Sequence, residues 1–474
     1  MAETLNPDLC VIGAGSGGLS VAAAAAQLGV EVVLIEKAKM GGDCLNYGCV
    51  PSKAMIAAGK HAQAMRNPEA FGIAGVEPRI DPRKVHDHVH GVIAAIAPND
   101  SVERFTGMGV RVIEAEGRFK DARTVEAGGH EIKARRFVIA TGSSPAAPPI
   151  PGIDKVPYFT NETIFDVTET IPHLLIIGGG PIGMELAQAH RRLGSRVTVL
   201  EAFTPLGKDD PELTAVVLKR LAEEGVEIQA GIRIEKLERS QKGVRAHITV
   251  DDEASEIEGS HLLVAAGRAP NVDGLDLEAA GINFDKKGIK VSSRLKTSNS
   301  RVYAIGDVAG SLQFTHMANY HAGLVIRNAL FRLPVKASTT AIPWVTYTDP
   351  ELAHVGLTEA QAREKSRNVQ VLRWPYGEND RAQAEHETEG FIKVVVGKRG
   401  RILGATIVGA RAGELIQTWV LAIIKNMKIG DMTSIVVAYP TLSEINKRVA
   451  YTYYLPSLTN PWIRRIIGFL RMFG

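Results

Sequence analysis

At 474 residues, 45% of them hydrophobic and 23% charged, the chain is long enough for about three or four globular units of roughly 100–150 residues each. A formal net charge of +3 without a dense basic block argues against nucleic acid as a partner, and no apolar run is long enough to span a bilayer. Three cysteines in the whole chain exclude a disulfide-stapled secreted scaffold and point to a reducing, cytoplasmic compartment, in keeping with a start, Met1 to Asp8, that lacks the basic n-region of a signal peptide.

Leu9-Cys10-Val11-Ile12 is a short apolar strand that leads into Gly13-Ala14-Gly15-Ser16-Gly17-Gly18 and a helix over 21–27. A second strand over 30–35 ends on Glu36. Gly13, Gly15 and Gly18 fit the dinucleotide fingerprint, in which glycines let the backbone approach a pyrophosphate at a helix N-terminus while the acid, Glu36, binds ribose. Cys10, on the buried strand, reads as a small core hydrophobe.

The next stretch holds the other two cysteines, Cys44 and Cys49, among Gly41, Gly42 and Gly48. Five positions of regular helix separate two residues by roughly 7.5 Å along the axis, beyond the roughly 7 Å that a disulfide spans between Cα atoms. A bridge therefore needs a tightened turn, which the glycines permit. Pro51 belongs in the first turn of a helix that continues over 54–58, so Cys49 falls at a helix N-terminus, where backbone N–H groups lower a thiol pKa. Two buried structural cysteines are the plain alternative; clustering at a glycine-built helix entry weighs against it. The stretch 41–53 resembles, nearly residue for residue, the redox signature of the class I pyridine nucleotide-disulfide oxidoreductases, the family of dihydrolipoamide dehydrogenase, glutathione reductase and mercuric reductase. The resemblance implies that Cys49 lies against a flavin, that Cys44 is the interchange thiol, and that Lys53, one helical turn beyond Cys49, pairs with Glu185 near the flavin.

Other family motifs follow in order. Gly117 matches a position near the flavin, and a strand over 137–140 ends in Thr141-Gly142-Ser143. A Pro-rich linker, 145–151, marks a boundary. The fingerprint then recurs: a strand over 174–177, the turn with Gly178, Gly180 and Gly183, and a strand over 197–200 ending on Glu201, so that each acid lies twenty-three positions after its first glycine. The resemblance assigns FAD to the first copy and a nicotinamide nucleotide to the second. Glu201 favours NAD(H) over NADP(H), because a carboxylate accepts from a free 2′-hydroxyl and repels a 2′-phosphate; a solvent-facing acid is the alternative. Gly267, in the Ala266-Gly267-Arg268 segment, closes the second unit. Asp307 matches the aspartate at the FAD ribityl chain and Thr315 a position beside the flavin, while His316 receives no catalytic role. The expected fold class is α/β, with two Rossmann-like dinucleotide-binding domains plus an α+β C-terminal dimerisation domain. The expected boundaries are FAD-binding 1–150 and 271–340, NAD-binding 151–270, interface 341–450 with a helix over 414–425, and a tail 451–474.

The implied function is an oxidoreductase that relays electrons from NADH through FAD to the Cys44–Cys49 disulfide and on to an acceptor, in a homodimer. No residue is assigned to a resident metal. Disulfide-reducing members carry His-Pro with a glutamate five positions after the histidine; here Tyr439-Pro440 precedes Glu444. Imidazole titrates near neutrality and unperturbed phenol near 10, and general-base assistance is worth about 10²–10⁴-fold. The acceptor is therefore expected to be a metal ion, a quinone or an unusual disulfide rather than an ordinary dithiol. A dihydrolipoamide dehydrogenase with a different proton acceptor and a non-turnover redox sensor are the alternatives. Asp43 replaces the family's threonine and would disfavour a Cys44 thiolate unless it serves as proton acceptor or metal ligand. Ile463, Ile466, Ile467 and Leu470 share one helical face beside Arg464, Arg465 and Arg471, so residues 456–474 are suited to peripheral contact with the inner face of an anionic membrane, or to packing on the protein's own dimer.

Overall fold

The computed structural model describes residues 3–310, 312–458 and 460–473; Met1 and Ala2 of the expected leaderless start, and Thr459 and Gly474 of the expected tail, lie outside the described residues. The chain divides into two compact units, one of Met1–Gln63, Glu77–Phe203 and Ile228–Ser338, the other of Ala64–Val76, Thr204–Glu227 and Thr339–Gly474.

In the first unit a five-stranded parallel sheet runs in the order Val302–Ala304, Arg136–Ile139, Leu9–Ile12, Val32–Glu36, Arg111–Glu114. Its central strand is apolar at every position because both faces are covered. Cys10 and Ile12 point into one core with Val33, Phe137 and Ala304. Leu9 and Val11 point into the other, with Leu34, Tyr303 and the helix residues Val21, Ala25 and Val325. Cys10 is fully buried, as expected of a core residue, and burial pushes its thiol far above the ordinary range.

A second sheet orders Val226–Ala230, Arg196–Glu201, His173–Ile177 and His261–Val264, the last three of them parallel. A three-stranded antiparallel ribbon, Arg233–Ser240, Gly243–Val250 and Glu253–Gly259, adds Leu237, Val244 and Ala246 to its core.

The second unit is built on a five-stranded antiparallel sheet in the order Trp344–Thr346, Glu351–Gly356, Ile402–Gly409, Phe391–Val396, Gln370–Pro375. Its core closes around Trp419, whose indole N–H donates to Asn446 Oδ1 at 2.8 Å. The helix expected over 414–425 is two short helices, Ala412–Leu415 and Gln417–Ile424, divided where the Gln417 side-chain amide donates to the Gly413 carbonyl. The architecture is thus mixed α/β with parallel sheets, as expected. Among the described residues no helix is long and apolar enough to cross a membrane.

Candidate active site

Two nucleotide cradles are cut from one backbone pattern. Gly13 and Gly178 turn at φ +104° and +114°, and a Cβ on either would lie 2.5 Å from a carbonyl, of Ala140 and Ala265 respectively. A Cβ at Gly18 or Gly183 would fall 1.8 or 1.9 Å from the carbonyl of Gly13 or Gly178, so only glycine lets helix and strand come this close. At Gly15 and Gly180, by contrast, a Cβ would meet nothing within 4 Å. That open space fronts the helices Ser16–Gln27 and Pro181–Arg192, whose first turns carry no side-chain cap and no acid. Unshielded N–H donors before open space fit a pyrophosphate in both copies.

The terminal acids are held alike. Glu36 accepts from Ala14 N–H at 2.6 Å and Ala38 N–H at 2.8 Å; Glu201 accepts from the N–H groups of Gly179 and Phe203. Each carboxylate oxygen keeps a further lone pair for a ribose hydroxyl.

Between the cradles' residues in sequence lies the dithiol. Gly41 and Gly42 have φ of +84° and +58° and start a short helix, Gly42–Asn46, that carries Cys44. Asn46 Nδ2 clamps this turn by donating to the carbonyls of Met40 at 3.0 Å and Gly42 at 2.9 Å. The chain breaks at Tyr47-Gly48, and Cys49 opens the helix Cys49–Arg66. Both cysteines are free thiols in this structure.

The two thiols differ. A hydrogen bond from Cys44, with help from Thr315 and the Lys53 charge, lowers Cys49 to about 6. The same bond to Cys49, with burial, pushes Cys44 above the ordinary thiol range. Thr315, first residue of the helix Thr315–Ala329, places its Oγ1 3.3 Å from Cys49 Sγ. Lys53 Nζ reaches Glu185 Oε2 at 2.7 Å, and the Glu185 side chain is 6% exposed. The contacts thus favour ionisation of Cys49 over Cys44, with a buried acid fixing the cation one helical turn away.

Asp43 is not a free base: its Oδ1 accepts from Asn161 Nδ2 at 3.1 Å and lies 3.1 Å from Arg268 Nη2. Its charge works against thiolates at both sulfurs, behind the hydrogen bond that joins them. Arg268 also donates to Ser143 Oγ at 2.8 Å and to the Ser143 carbonyl at 2.6 Å, and Ser143 Oγ donates to Asp307 Oδ2 at 2.6 Å. This chain of polar contacts ties the dithiol turn to Asp307, whose carboxyl burial raises above its usual range. Sequence reasoning gave Arg268, Asn161 and Ser143 no role; the only signal was the adjacency of Arg268 to Gly267 and of Ser143 to Gly142, and Asn161 carried none. His321 was missed too. It is buried, held to about 4 by desolvation, and accepts from Gly306 N–H at 3.2 Å, setting the turn before Asp307.

The remaining expected residues scatter around this frame. Gly117 packs on Ile35, Thr141 Oγ1 donates to the Asn271 carbonyl at 2.8 Å, and Gly142 and Gly267 take φ of +69° and +148°. His316 is exposed and stacks on Phe314. Tyr439 and Glu444 belong to the other unit. There the Tyr439 hydroxyl donates to Asp380 Oδ2 at 2.8 Å, and Glu444 opens the helix Glu444–Thr452, 3.8 Å from Arg448.

The pyridine nucleotide-disulphide oxidoreductase model matches residues 7–322, and the dimerisation-domain model of the same family matches residues 342–450. A mercuric reductase of Bacillus cereus is 35% identical over 449 residues, 94% of this chain and 71% of that protein. A dihydrolipoyl dehydrogenase of Thermus scotoductus is 38% identical over 455 residues, 92% and 95% of the two chains. Among solved structures, the Cu(II) complex of the HOCl-induced flavoprotein disulfide reductase RclA from Escherichia coli superimposes with a TM-score of 0.84 at 26% identity, covering 93% of this chain and 99% of that one. The chain belongs to the pyridine nucleotide-disulphide oxidoreductase family, FAD-dependent disulfide oxidoreductases that use NAD(P)H, and its dimerisation domain supports a homodimer.

Proposed function

We propose that this chain takes two electrons from NADH and delivers them, through the Cys44–Cys49 pair, to a thiophilic metal ion. The observation that carries this reading is the state of Tyr439. Its hydrogen bond to Asp380 and the charge of that acid raise the phenol above its ordinary value, so it accepts no proton near neutral pH. Exchange with a dithiol substrate needs a base, which the resembling disulfide reductases supply as a histidine at the position Tyr439 takes here. A metal ion does not, because thiolates ligate it directly and the proton of Cys44 leaves on coordination. The similarity to a mercuric reductase and to a reductase crystallised with Cu(II) supports the same acceptor class.

Gly13, Gly15, Gly18 and Glu36, with Gly117, Thr141, Gly142, Asp307 and Thr315, would hold FAD; Gly178, Gly180, Gly183, Glu201 and Gly267 would hold NADH. When bound, the flavin supplies two-electron exchange between nicotinamide and sulfur. The chain's own part is placement: Thr315 and Lys53 keep Cys49 as a thiolate, Glu185 fixes Lys53, and Cys44 presents the outer sulfur. One NADH yields NAD⁺, a proton and two electrons, enough to reduce one Hg(II) to the metal or two Cu(II) to Cu(I). The test is anaerobic NADH oxidation by the holoprotein offered Hg(II), Cu(II), a quinone, or lipoamide. Metal-dependent turnover that disappears in C44S and C49S is expected; faster turnover with lipoamide overturns the reading.

The tail supports a second part of the reading, contact with an anionic lipid surface. The helix Pro461–Leu470 leaves Trp462, Ile466, Ile467, Phe469 and Leu470 each more than half exposed, beside Arg464, Arg465 and Arg471 and with no acid after Glu444. An apolar face flanked by arginines matches an interfacial helix. Co-sedimentation with phosphatidylglycerol vesicles should be lost on removal of the residues after Leu455; equal binding of both forms overturns it.

A further inference from the structure

We propose that His86, His90 and Asp166 form a site for a divalent transition-metal ion such as Zn(II), separate from the dithiol. His86 and His90 stand four positions apart on the helix Pro82–Ile96, so their imidazoles share one face, with ring centroids 4.1 Å apart. Asp166 joins them from the short turn Ile164–Asp166, and one ligand atom from each of the three residues lies within 4.8 Å of the others. His90 Nε2 is 3.3 Å from Asp166 Oδ1. Two ligands bonded at 2.0–2.2 Å to a tetrahedral ion sit roughly 3.3–3.5 Å apart, so this pair already spans one edge of such a polyhedron.

The protonation pattern suits the same ion. Asp87 Oδ1 lies 3.0 Å from His86 Nδ1, placed to accept its N–H and to supply the carboxylate–histidine support common at metal sites. His90 Nε2 faces two acceptors, Asp166 Oδ1 and the Phe165 carbonyl at 3.2 Å. An N–H serves them in the metal-free chain; with an ion bound, the neutral ring would carry its proton on Nδ1 and offer the Nε2 lone pair to the metal. Two imidazoles and one carboxylate select a borderline transition ion over Mg(II) or Ca(II), which take oxygen ligands. The side chains are 24%, 38% and 66% exposed, so the ion has a route from solvent and keeps a coordination position open. Bound there, it would clip the helix to a turn seventy-five positions away in the chain.

The site does not depend on the proposed electron acceptor, and its test avoids turnover. C44S/C49S holoprotein, with the reactive thiols removed, is dialysed against Zn(II). One ion per chain with a Kd below ~10 µM is expected, weakened at least a hundredfold in the added H86A/H90A pair and roughly 10–100-fold by D87N. Absence of binding below ~1 mM, or equal binding by the H86A/H90A protein, overturns the proposal. Should the histidine variants fail to fold, diethyl pyrocarbonate modification of the parent decides. Protection of His86 and His90 by Zn(II) supports the site, and modification at an unchanged rate overturns it.

Discussion

Replacing Cys44 with alanine isolates what sets the reactivity of Cys49. Lowered to about 6 from an ordinary 9.0, Cys49 is about 90% thiolate at pH 7, against about 1% without the shift. A thiolate of low basicity is also a weaker nucleophile, by roughly 15–30-fold over three pH units. The net advantage in alkylation rate at pH 7 is thus only about three- to sixfold, and a single rate is a poor readout. The midpoint of the pH–rate profile separates the two effects. Reduced holoprotein is labelled with iodoacetamide from pH 5 to 10 and the Cys49 peptide is quantified by mass spectrometry. Because the bond from Cys44 is the largest cause of the shift, C44A should raise the midpoint by at least one pH unit. Serine at 44, which keeps a donor, should give an intermediate value, and T315V a smaller rise. A C44A midpoint still near 6, or a larger effect from T315V, refutes this account of the thiolate.

Three further outcomes follow from other contacts. K53M leaves the buried Glu185 carboxylate without its cation and should cost about 2 kcal/mol in urea unfolding, discounted from a fully buried pair because Lys53 is 37% exposed; K53M/E185L should recover part of the loss. E201A should raise kcat/KM for NADPH relative to NADH by at least tenfold, read from initial rates with both nucleotides. In the second unit Lys393, 4% exposed, meets Asp210, Glu212 and Glu359 at 2.7–2.8 Å, and Arg373 with Lys393 holds Glu212 down at about 2. A carboxylate depressed on folding contributes stability that is present above its unfolded value, near 4.5, and is lost as pH falls through 2. The urea midpoint should therefore fall between pH 4.5 and 2, and less steeply in E212Q.

What could be read from the sequence was what depends on short stretches of chain. Both cradles were legible because the glycines and the terminal acid of each fall at fixed spacing within one strand–turn–helix–strand, although the carbonyls that Gly13 and Gly178 face, of Ala140 and Ala265, come from distant segments. The dithiol turn was legible for the same reason. The Asp43–Arg268–Ser143–Asp307 chain was not, because its members meet only after distant segments fold together; Asp43 could be weighed only against Cys44, its neighbour in sequence. His86 and His90 were in helical register, but the third ligand, Asp166, comes from a turn no local pattern predicts. The tail's helix was legible from periodicity, whereas the exposure of its apolar face, with Trp462 69% and Ile466 55% exposed, was not.

The central claim is that electrons from NADH come to rest on Cys44 and Cys49. Anaerobic titration of the yellow holoprotein with NADH, followed by acid quench and counting of alkylated cysteines, tests it directly. The account predicts that one equivalent of NADH makes two thiols alkylatable, at residues 44 and 49, with long-wavelength absorption from the Cys49 thiolate beside the flavin. Loss of the yellow colour while both sulfurs stay unreactive would contradict it.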